Sequence, residues 1–265
     1  MKERADIHLV RNGQALSREK AQALIMSGKV YLAEVRINKA SETVPEDAQL
    51  TVRGEQDSFA SRGGHKLEKA ITVFRPSVEG TVAMDIGAST GGFTDVLLRS
   101  GARHVYAIDV GYGQLDWRLR NDPRVTVMER TNARFLTPEQ FPLHPTLTVM
   151  DVSFISIRLI LPVAAAIMGG KGQFLTLIKP QFEAGRESVG KHGIVRDPDV
   201  HRRVLAEIRD FSVQMQWCMC GVTFSPIRGG EGNIEFLADI RKTGVPVSDE
   251  EIARIVTQAH RELAT

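Results

Sequence analysis

The sequence predicts an α/β fold in which a mostly parallel seven-stranded sheet carries helices on both faces, preceded by a small α+β unit. From Thr81 onward, short apolar segments alternate with helix-like segments along most of the chain. The short segments are apolar nearly throughout, which is typical of parallel strands that are covered on both sides. With 265 residues, of which 42% are hydrophobic, the chain is long enough to bury such a core.

Residues 1–53 predict a small domain of two helices followed by short strands. Apolar positions between Ala5 and Val10 indicate the first helix. Ser17 is a suitable N-cap for a second helix, and Gly28 is a suitable residue to end it. The short segments predicted as strands are 30–32, 35–37 and 50–52.

The remaining domain boundaries follow from composition. Residues 54–64 are polar and rich in glycine, and they predict a linker. Residues 65–243 form the α/β domain, and residues 244–265 predict a C-terminal helix that begins with a capping box of Ser248 and Glu251. The apolar face of that helix is expected to dock onto the α/β domain.

The strands of the larger domain are predicted from their apolar content and from the helix-like segments that separate them. A helix over residues 65–74 precedes the first strand. The predicted strands are Val82–Ile86, His104–Asp109, Val125–Met128, Leu147–Val152, Phe174–Ile178, Met219–Phe224 and Ile234–Ile240.

Charge, cysteine content and hydropathy limit the classes of function. A net charge of +2 does not by itself indicate an acidic partner, so nucleic-acid binding requires a local arrangement of positive charge. Cys218 and Cys220 lie two residues apart and predict free thiols, which suit a reducing cytoplasm, and no metal site is expected. The longest apolar run, Leu159–Met168, is about half of a membrane span. We therefore expect a cytoplasmic protein that does not cross a membrane.

A glycine-rich turn, DIGASTGGF, follows the first strand of the α/β domain and opens a helix. Gly87 permits a tight turn, and Gly91 and Gly92 are expected to let a ligand approach the backbone closely. Asp109 ends the next strand, 22 residues after Gly87, where an acidic side chain can bind both hydroxyls of a ribose. The pattern predicts a nucleoside-binding site, the alternative being a purely structural turn with Asp109 as a surface cap.

The nucleoside is predicted to be S-adenosylmethionine, with NAD as the alternative. The spacing of Gly87, Ser89, Gly91 and Gly92 departs from the G-x-G-x-x-G pattern of NAD-binding turns. Asp85 lies two residues before the first glycine, where its charge would repel a pyrophosphate. The same charge suits the amino group of a methionine moiety.

Charged residues mark the ends of later strands. Asp151 and Lys179 each follow an apolar strand, Glu235 opens the last strand, and Lys66 lies on the helix before the first strand. A lysine at the end of a buried strand is costly unless it is paired. One such residue is usually a satisfied core charge, but two lysines and two acids that can converge at one sheet edge indicate a catalytic site.

Several segments together resemble the FtsJ-like ribose 2′-O-methyltransferases, and within that group the TlyA, or hemolysin A, family of rRNA methyltransferases. The segments are SRGGHK, DIGASTGGFTDVLL, DVGYGQLDWRLRNDPRV, ERTNAR, DVSFISI, LIKPQFE and GNIEF. The resemblance covers about residues 4–243, and it implies a Rossmann-like S-adenosylmethionine-dependent methyltransferase. It implies a catalytic tetrad at Lys66, Asp151, Lys179 and Glu235, and a cofactor site at Asp85, Gly87, Ser89, Gly91, Gly92, Asp109 and Asn132.

The segment SREKAQALIMSGKVYL resembles a small RNA-binding module that a ribosomal protein shares with RNA-modifying enzymes. It departs from that module at Ala33-Glu34, where an Asn-Gly-like turn is usual. The resemblance implies ribosomal RNA or a ribosomal subunit as partner. The expected RNA contacts are Arg4, Arg11, Arg18, Lys20 and Arg62.

Methylation of a ribose requires that the hydroxyl be oriented and that its proton be accepted. Lys179 is the expected proton acceptor, which requires a neutral amine, and Asp151 and Glu235 are expected to hold the two lysines in place. Two other classes of function remain as alternatives. One is a non-catalytic RNA-binding factor on a methyltransferase fold, and the other is a membrane-active haemolysin.

Overall fold

The computed structural model describes residues 2–15, 17–33, 35–52, 59–230 and 232–264. The chain divides into two compact units, Met1–Ser58 and Phe59–Thr265. Each unit has a buried apolar core of its own.

The first unit contains two helices and short strands, as the sequence predicts. Ser17 accepts a hydrogen bond from the Lys20 N–H at 3.3 Å and caps the second helix. The sequence did not predict a short antiparallel pair, β1 with β4, because these strands are brief and mostly polar. The elements are β1 (Lys2–Arg4), α1 (Ala5–Arg11), α2 (Arg18–Met26), β2 (Val30–Leu32), β3 (Val35–Arg36), β4 (Thr43–Pro45) and β5 (Leu50–Val52).

The hairpin between β2 and β3 forms despite the unusual Ala33. Leu32 pairs with Val35, and Ala33, which follows Leu32, adopts a positive φ of 53°. Tight hairpin connections favour a positive φ. An alanine in this region costs about 1–2 kcal/mol relative to glycine.

The second unit alternates strands with helices, and its last helix belongs to the same core. The predicted strands are all present, with boundaries that shift by one or two residues. The elements are α3 (Gly64–Phe74), β6 (Val82–Ile86), α4 (Gly92–Arg99), β7 (His104–Ile108), α5 (Trp117–Arg120), β8 (Val125–Met128), β9 (Leu147–Met150), α6 (Leu161–Ile167), β10 (Gln173–Ile178), α7 (Pro180–Glu183), α8 (Pro198–Gln214), β11 (Cys218–Phe224), β12 (Phe236–Arg241) and α9 (Asp249–Glu262).

In the described part of the chain, the seven strands form one sheet in the order β11-β12-β10-β9-β6-β7-β8. Every neighbouring pair is parallel except the two that involve β12, which runs antiparallel to both β10 and β11. The strand order reverses between β6 and β9. Ligands of open α/β sheets bind beyond the carboxyl ends of the strands at such a point.

Both faces of the sheet are buried. Alternate residues of β6 point to opposite sides, so that Met84 joins one apolar cluster and Ala83 joins the other. Helices α3, α4 and α5 cover the face of Ala83, while α6, α8 and α9 cover the face of Met84. The arrangement explains why these strands are apolar nearly throughout.

The second unit begins earlier than the predicted linker, 54–64, would place it. Phe59 and Ala60 are buried in the α3–α4 core, and the Ala60 N–H donates to Asp95 at 2.8 Å. Residues 59–63 therefore pack with the second unit, and residues 53–58 lie outside the described residues.

At the C-terminal end of the second unit, α9 packs on α8 and β11, and Ser248 caps it by accepting from the Glu251 N–H.

Two further observations concern the cysteines and the length of the apolar helices. The Sγ atoms of Cys218 and Cys220 lie 3.0 Å apart on β11 as free thiols. Among the described residues, no helix is long and apolar enough to span a membrane.

Candidate active site

The four residues of the expected tetrad lie together in one chain of ion pairs. The Nζ of Lys66 is 2.6 Å from Glu235 Oε2 and 3.4 Å from Asp151 Oδ2. The Nζ of Lys179 is 2.6 Å from Asp151 Oδ1. Asp151 therefore lies between the two lysines, and Glu235 pairs with Lys66.

The sheet topology explains why these residues meet. Asp151 follows β9 and Lys179 follows β10, and these neighbouring strands are parallel, so that their carboxyl ends share an edge. Glu235 directly precedes β12 rather than opening it, and because β12 is antiparallel, its beginning lies at the same edge. Lys66 enters from α3, which packs against β12.

Burial distinguishes this tetrad from a surface ion pair. Lys66, Lys179 and Glu235 are 6%, 7% and 2% exposed. Charges removed from water in this way are costly unless each is paired, and two lysines and two acids balance here. Such an arrangement is seldom favourable for stability alone, so that a role in chemistry is the more economical explanation.

A cleft of about 670 Å³ opens over the tetrad. All four members line it, together with Arg62, which lies in the turn before α3. Arg62 is exposed and makes no ion pair with any residue that the structure describes. The cleft therefore combines a buried cluster of ion pairs with a positive charge at its wall.

A second cleft, of about 470 Å³, lies beside the ends of β6 and β7. It includes four of the predicted cofactor residues, Gly87, Ser89, Asp109 and Asn132, and it has apolar walls from Ile108 and Ile160. The residues that line both clefts are Gly87, Ser89, Asp151, Ser153 and Phe154. A donor in the second cleft and an acceptor in the first would thus meet beside Asp151 and its partner Lys179.

The glycines of the turn are required by the protein's own packing. A Cβ at Gly87 would lie 2.6 Å from the carbonyl oxygen of Asp151, and a Cβ at Gly91 would lie within 3 Å of the Leu119 side chain. At Gly92 it would lie 2.5 Å from Ser61 Oγ. These contacts give the glycines a packing role, and the close approach of a ligand to Gly91 and Gly92 stays a prediction.

Asp109 holds the turn in position. Its Oδ2 accepts from the Ser89 N–H at 2.8 Å, and its Oδ1 accepts from the Gly111 N–H at 2.7 Å. Ser89 has a positive φ of 48°, which this contact stabilises. Each carboxylate oxygen keeps a further lone pair, so that the side chain can still accept from ribose hydroxyls.

Asp85 is buried below the turn and is not among the residues that line either cleft. Thr94 Oγ1 donates to its Oδ2 at 2.7 Å, whereas its Oδ1 has no hydrogen-bond partner among the described residues. Burial raises the pKa of Asp85 to about 7, with a smaller contribution from the negative charge of Asp151, and the Thr94 hydrogen bond opposes the rise. A cation nearby would stabilise its charged form.

Three of the four arginines expected to contact RNA form ion pairs within the first unit. Arg4 and Arg18 both bind the buried Asp6, at 2.9 and 3.0 Å, and Arg11 lies 2.6 Å from Glu3 Oε1. Lys20 lies in the first turn of α2. The sequence pattern did not reveal these pairings, because Asp6 and Arg18 are separated by a loop.

The sequence analysis assigned no role to Ser153 and Phe154, which follow Asp151 in the segment DVSFISI. Lys179 Nζ donates to Ser153 Oγ at 2.9 Å. Phe154 is 91% exposed, has a positive φ of 64°, and its ring lies 5.2 Å from that of Phe182. A large exposed aromatic ring at the mouth of two clefts indicates a binding surface, and only a structure reveals that position.

Two clefts that meet beside a lysine suit the transfer of a small group from a nucleoside-bearing donor to a hydroxyl. That reaction belongs to the S-adenosylmethionine-dependent methyltransferases, whose cofactor would be held by the residues described above. Asp109 fits the ribose, and the unpartnered Oδ1 of Asp85 fits a nearby positive charge. In the described part of the chain, no cluster of three or more metal-ligating side chains is present.

Comparison with known proteins identifies the family. Residues 59–242 match the FtsJ-like methyltransferases, and the chain belongs to that family. Residues 3–50 match the S4 domain. The predicted family, fold class, enzyme class and S-adenosylmethionine cofactor are thereby confirmed, and neither NAD binding nor a non-catalytic role is favoured.

Close relatives span nearly the whole chain. A Bacillus subtilis protein, YqxC, provisionally named an rRNA methyltransferase, is 51% identical over 99% of this chain and 95% of its own length. The 16S/23S rRNA (cytidine-2′-O)-methyltransferase TlyA of Mycobacterium tuberculosis is 44% identical over 90% of this chain and 89% of its own. A solved structure from Streptococcus thermophilus, provisionally described as a hemolysin, is 47% identical with a TM-score of 0.78, and covers 98% of this chain and 96% of that one.

Proposed function

We propose that this enzyme methylates the 2′-hydroxyl of a cytidine ribose in ribosomal RNA. The observation that carries the proposal is the position of Lys179, which is buried in the first cleft and held by Asp151, a residue that lines both clefts. The name of the TlyA relative, an rRNA (cytidine-2′-O)-methyltransferase, supports the choice of substrate.

The two clefts have different roles. The second cleft, with Asp109 and Asn132, holds the nucleoside part of S-adenosylmethionine. The first cleft, over the tetrad, receives the ribose of the RNA, and Arg62 at its wall binds a neighbouring phosphate. The junction at Asp151 and Ser153 is where the two ligands approach each other.

When bound, S-adenosylmethionine supplies an activated methyl group. Lys179 accepts the proton of the 2′-hydroxyl, which makes the oxygen a better nucleophile. Asp151 fixes the position of Lys179 through their ion pair, and it shares a second ion pair with Lys66.

Glu235 completes the charge balance. It lies 2.6 Å from Lys66 and holds that lysine in place. The tetrad therefore acts as one unit in which a proton at Lys179 is compensated by the other three charges.

Phe154 provides a surface for an unpaired base. Its exposed ring at the mouth of the first cleft can stack on a nucleobase, which is the usual way in which proteins hold single-stranded RNA. A ribose in a regular helix could not enter a cleft that is closed below by a buried tetrad. The substrate nucleotide is therefore one that lies in a loop or is turned out of a helix.

The S4 domain recognises the RNA and the methyltransferase unit modifies it. Exposed parts of Arg4, Arg11, Arg18 and Lys20 can contact phosphates beyond their internal pairings. A ribosomal substrate places the enzyme in the cytoplasm. This division of labour is consistent with the two separate cores of the chain.

The proposal is tested with purified enzyme, S-adenosylmethionine carrying a labelled methyl group, and unmodified ribosomal subunits. Mass spectrometry of nuclease digests should find the label on the ribose of a cytidine. Label on a base would contradict the ribose assignment, and the absence of any label would contradict the proposal as a whole. Liposomes of bacterial lipid, incubated with the same preparation, should not leak, and leakage would support a membrane-active protein instead.

A further inference from the structure

Ser153 is outside the tetrad, yet it is bonded to the lysine that the tetrad positions. Lys179 Nζ donates to Ser153 Oγ at 2.9 Å, and Ser153 lines both clefts. Among the described residues, Ser153 and Asp151 are the polar partners of this Nζ. We infer that Ser153 is a positioning residue for the methyl transfer, because it fixes the direction in which Lys179 presents its lone pair to the ribose hydroxyl.

The two contacts of Lys179 differ in what they fix. The ion pair with Asp151, at 2.6 Å, holds the nitrogen in place, but charge attraction depends mainly on distance. A hydrogen bond also depends on angle and weakens steeply when it is bent. The hydrogen bond to Ser153 therefore limits rotation about the Cε–Nζ bond of Lys179. The ion pair with Asp151 restricts that rotation less.

Because an amine nitrogen is tetrahedral, limiting its rotation also fixes the direction of its lone pair. A neutral lysine has two N–H bonds and one lone pair. When Asp151 and Ser153 accept the two N–H bonds, the lone pair takes the remaining direction. Because Lys179 lines the first cleft and has no third polar partner among the described residues, that direction is left to the substrate.

The transfer balances with Lys179 as the proton acceptor. The 2′-oxygen forms its bond to the methyl carbon as the carbon–sulfur bond breaks, and the electron pair of the broken bond stays on the sulfur. The hydroxyl proton goes to the lone pair of Lys179. The resulting ammonium has three N–H bonds, of which Asp151 and Ser153 accept two and the new ether oxygen faces the third.

The inference rests on the proposed function, and single-turnover kinetics separate the two. Ser153→Ala should lower the rate of methyl transfer about tenfold to a hundredfold, because a small misplacement of a reacting group has effects of that size. The Kd for S-adenosylmethionine, measured by calorimetry, and the KM for ribosomal subunits should stay within about twofold of the wild type. Ser153→Thr, which keeps the hydroxyl, should restore most of the rate.

Ser156→Ala is the matched control. Ser156 lies in the same segment, but its hydroxyl donates to Glu183 at 2.6 Å instead of binding Lys179. This variant should lower the melting temperature while leaving the rate unchanged. A wild-type rate for Ser153→Ala, or a loss fully explained by KM or by the cofactor Kd, would overturn the positioning role while the wild-type methylation stands. Failure of the wild type to methylate would overturn both.

Discussion

Among the described residues, each unit buries one carboxyl group completely, and the surroundings of the two are opposite. Asp6 of the first unit accepts from Arg4, Arg18 and Gln22 at 2.9–3.0 Å, and the Arg4 hydrogen bond holds the pKa of Asp6 well below its usual range. Asp85 of the second unit has the single side-chain donor Thr94 among the described residues, and burial raises its pKa to about 7.

The two carboxyl groups differ in whether the protein supplies their hydrogen-bond partners or leaves an oxygen for a ligand. Asp6 is a structural anchor that orders α1 and α2, and its arginines reach solvent with their far sides. Asp85 keeps an unpartnered oxygen beside the cofactor turn, and Lys179 keeps one direction open toward the first cleft. Incomplete pairing thus distinguishes Asp85 from Asp6.

The strongest test of this contrast is Lys179. Lys179→Ala should lower methylation about 10²- to 10⁴-fold, because a positioned proton acceptor is lost. Lys179→Arg should be nearly as harmful, since a guanidinium stays protonated. Cofactor binding, measured by calorimetry, should remain close to that of the wild type in both variants.

Lys171→Ala is the control for Lys179, because Lys171 is exposed near the opposite end of β10. It should methylate at the wild-type rate. If Lys179→Arg kept full turnover, the lysine would be acting as a fixed positive charge, and its role as proton acceptor would have to be abandoned.

Asp85→Asn should have the next largest effect. The folded protein holds a proton on Asp85 that the unfolded chain releases, so this group lowers stability as the pH rises from about 4 to about 7. At pH 8 the variant without cofactor should be more stable by a few kcal/mol in urea unfolding. Its affinity for S-adenosylmethionine should fall about tenfold at pH 8 and hardly change at pH 5, where Asp85 is neutral in the wild type. A wild-type affinity that is independent of pH between 5 and 8 would contradict a role for Asp85 in binding the cofactor.

Asp6→Asn should have a smaller effect of opposite sign. Because the pKa of Asp6 is lowered in the folded state, its contribution is present above about pH 4 and is lost as the pH falls below that value. At pH 7 the variant should lose about 1–2 kcal/mol in the first unit, a modest value because Arg4 and Arg18 are partly exposed. Hydrogen exchange of the α1 and α2 amides measures this loss. Asp47→Asn, at an exposed position in the same unit, should leave the exchange unchanged. An equal loss in both variants would contradict the proposed stabilising role of Asp6.

The sequence was informative where a single local pattern determines the structure. Apolar runs located the strands of the sheet, and charged residues at the strand ends, together with the family resemblance, located the tetrad. The reason for Gly91 was not predictable, because Leu119, which its Cβ would meet, lies far along the chain. The pairing of Asp6 with Arg18 and the contact of Ser153 with Lys179 also depend on tertiary structure, and no periodicity reports them.

The reversed strand has a consequence for how the enzyme matures. β12 is the last strand in the chain, yet it lies inside the sheet between β10 and β11, and it brings Glu235 to Lys66 across 169 residues. Contacts of such long range form late, since closing a large loop must precede the energetic gain. During synthesis, the growing chain exposes a gap at the edge of β10 until β12 has left the ribosome. The tetrad should therefore be complete only once the final strand has joined the sheet.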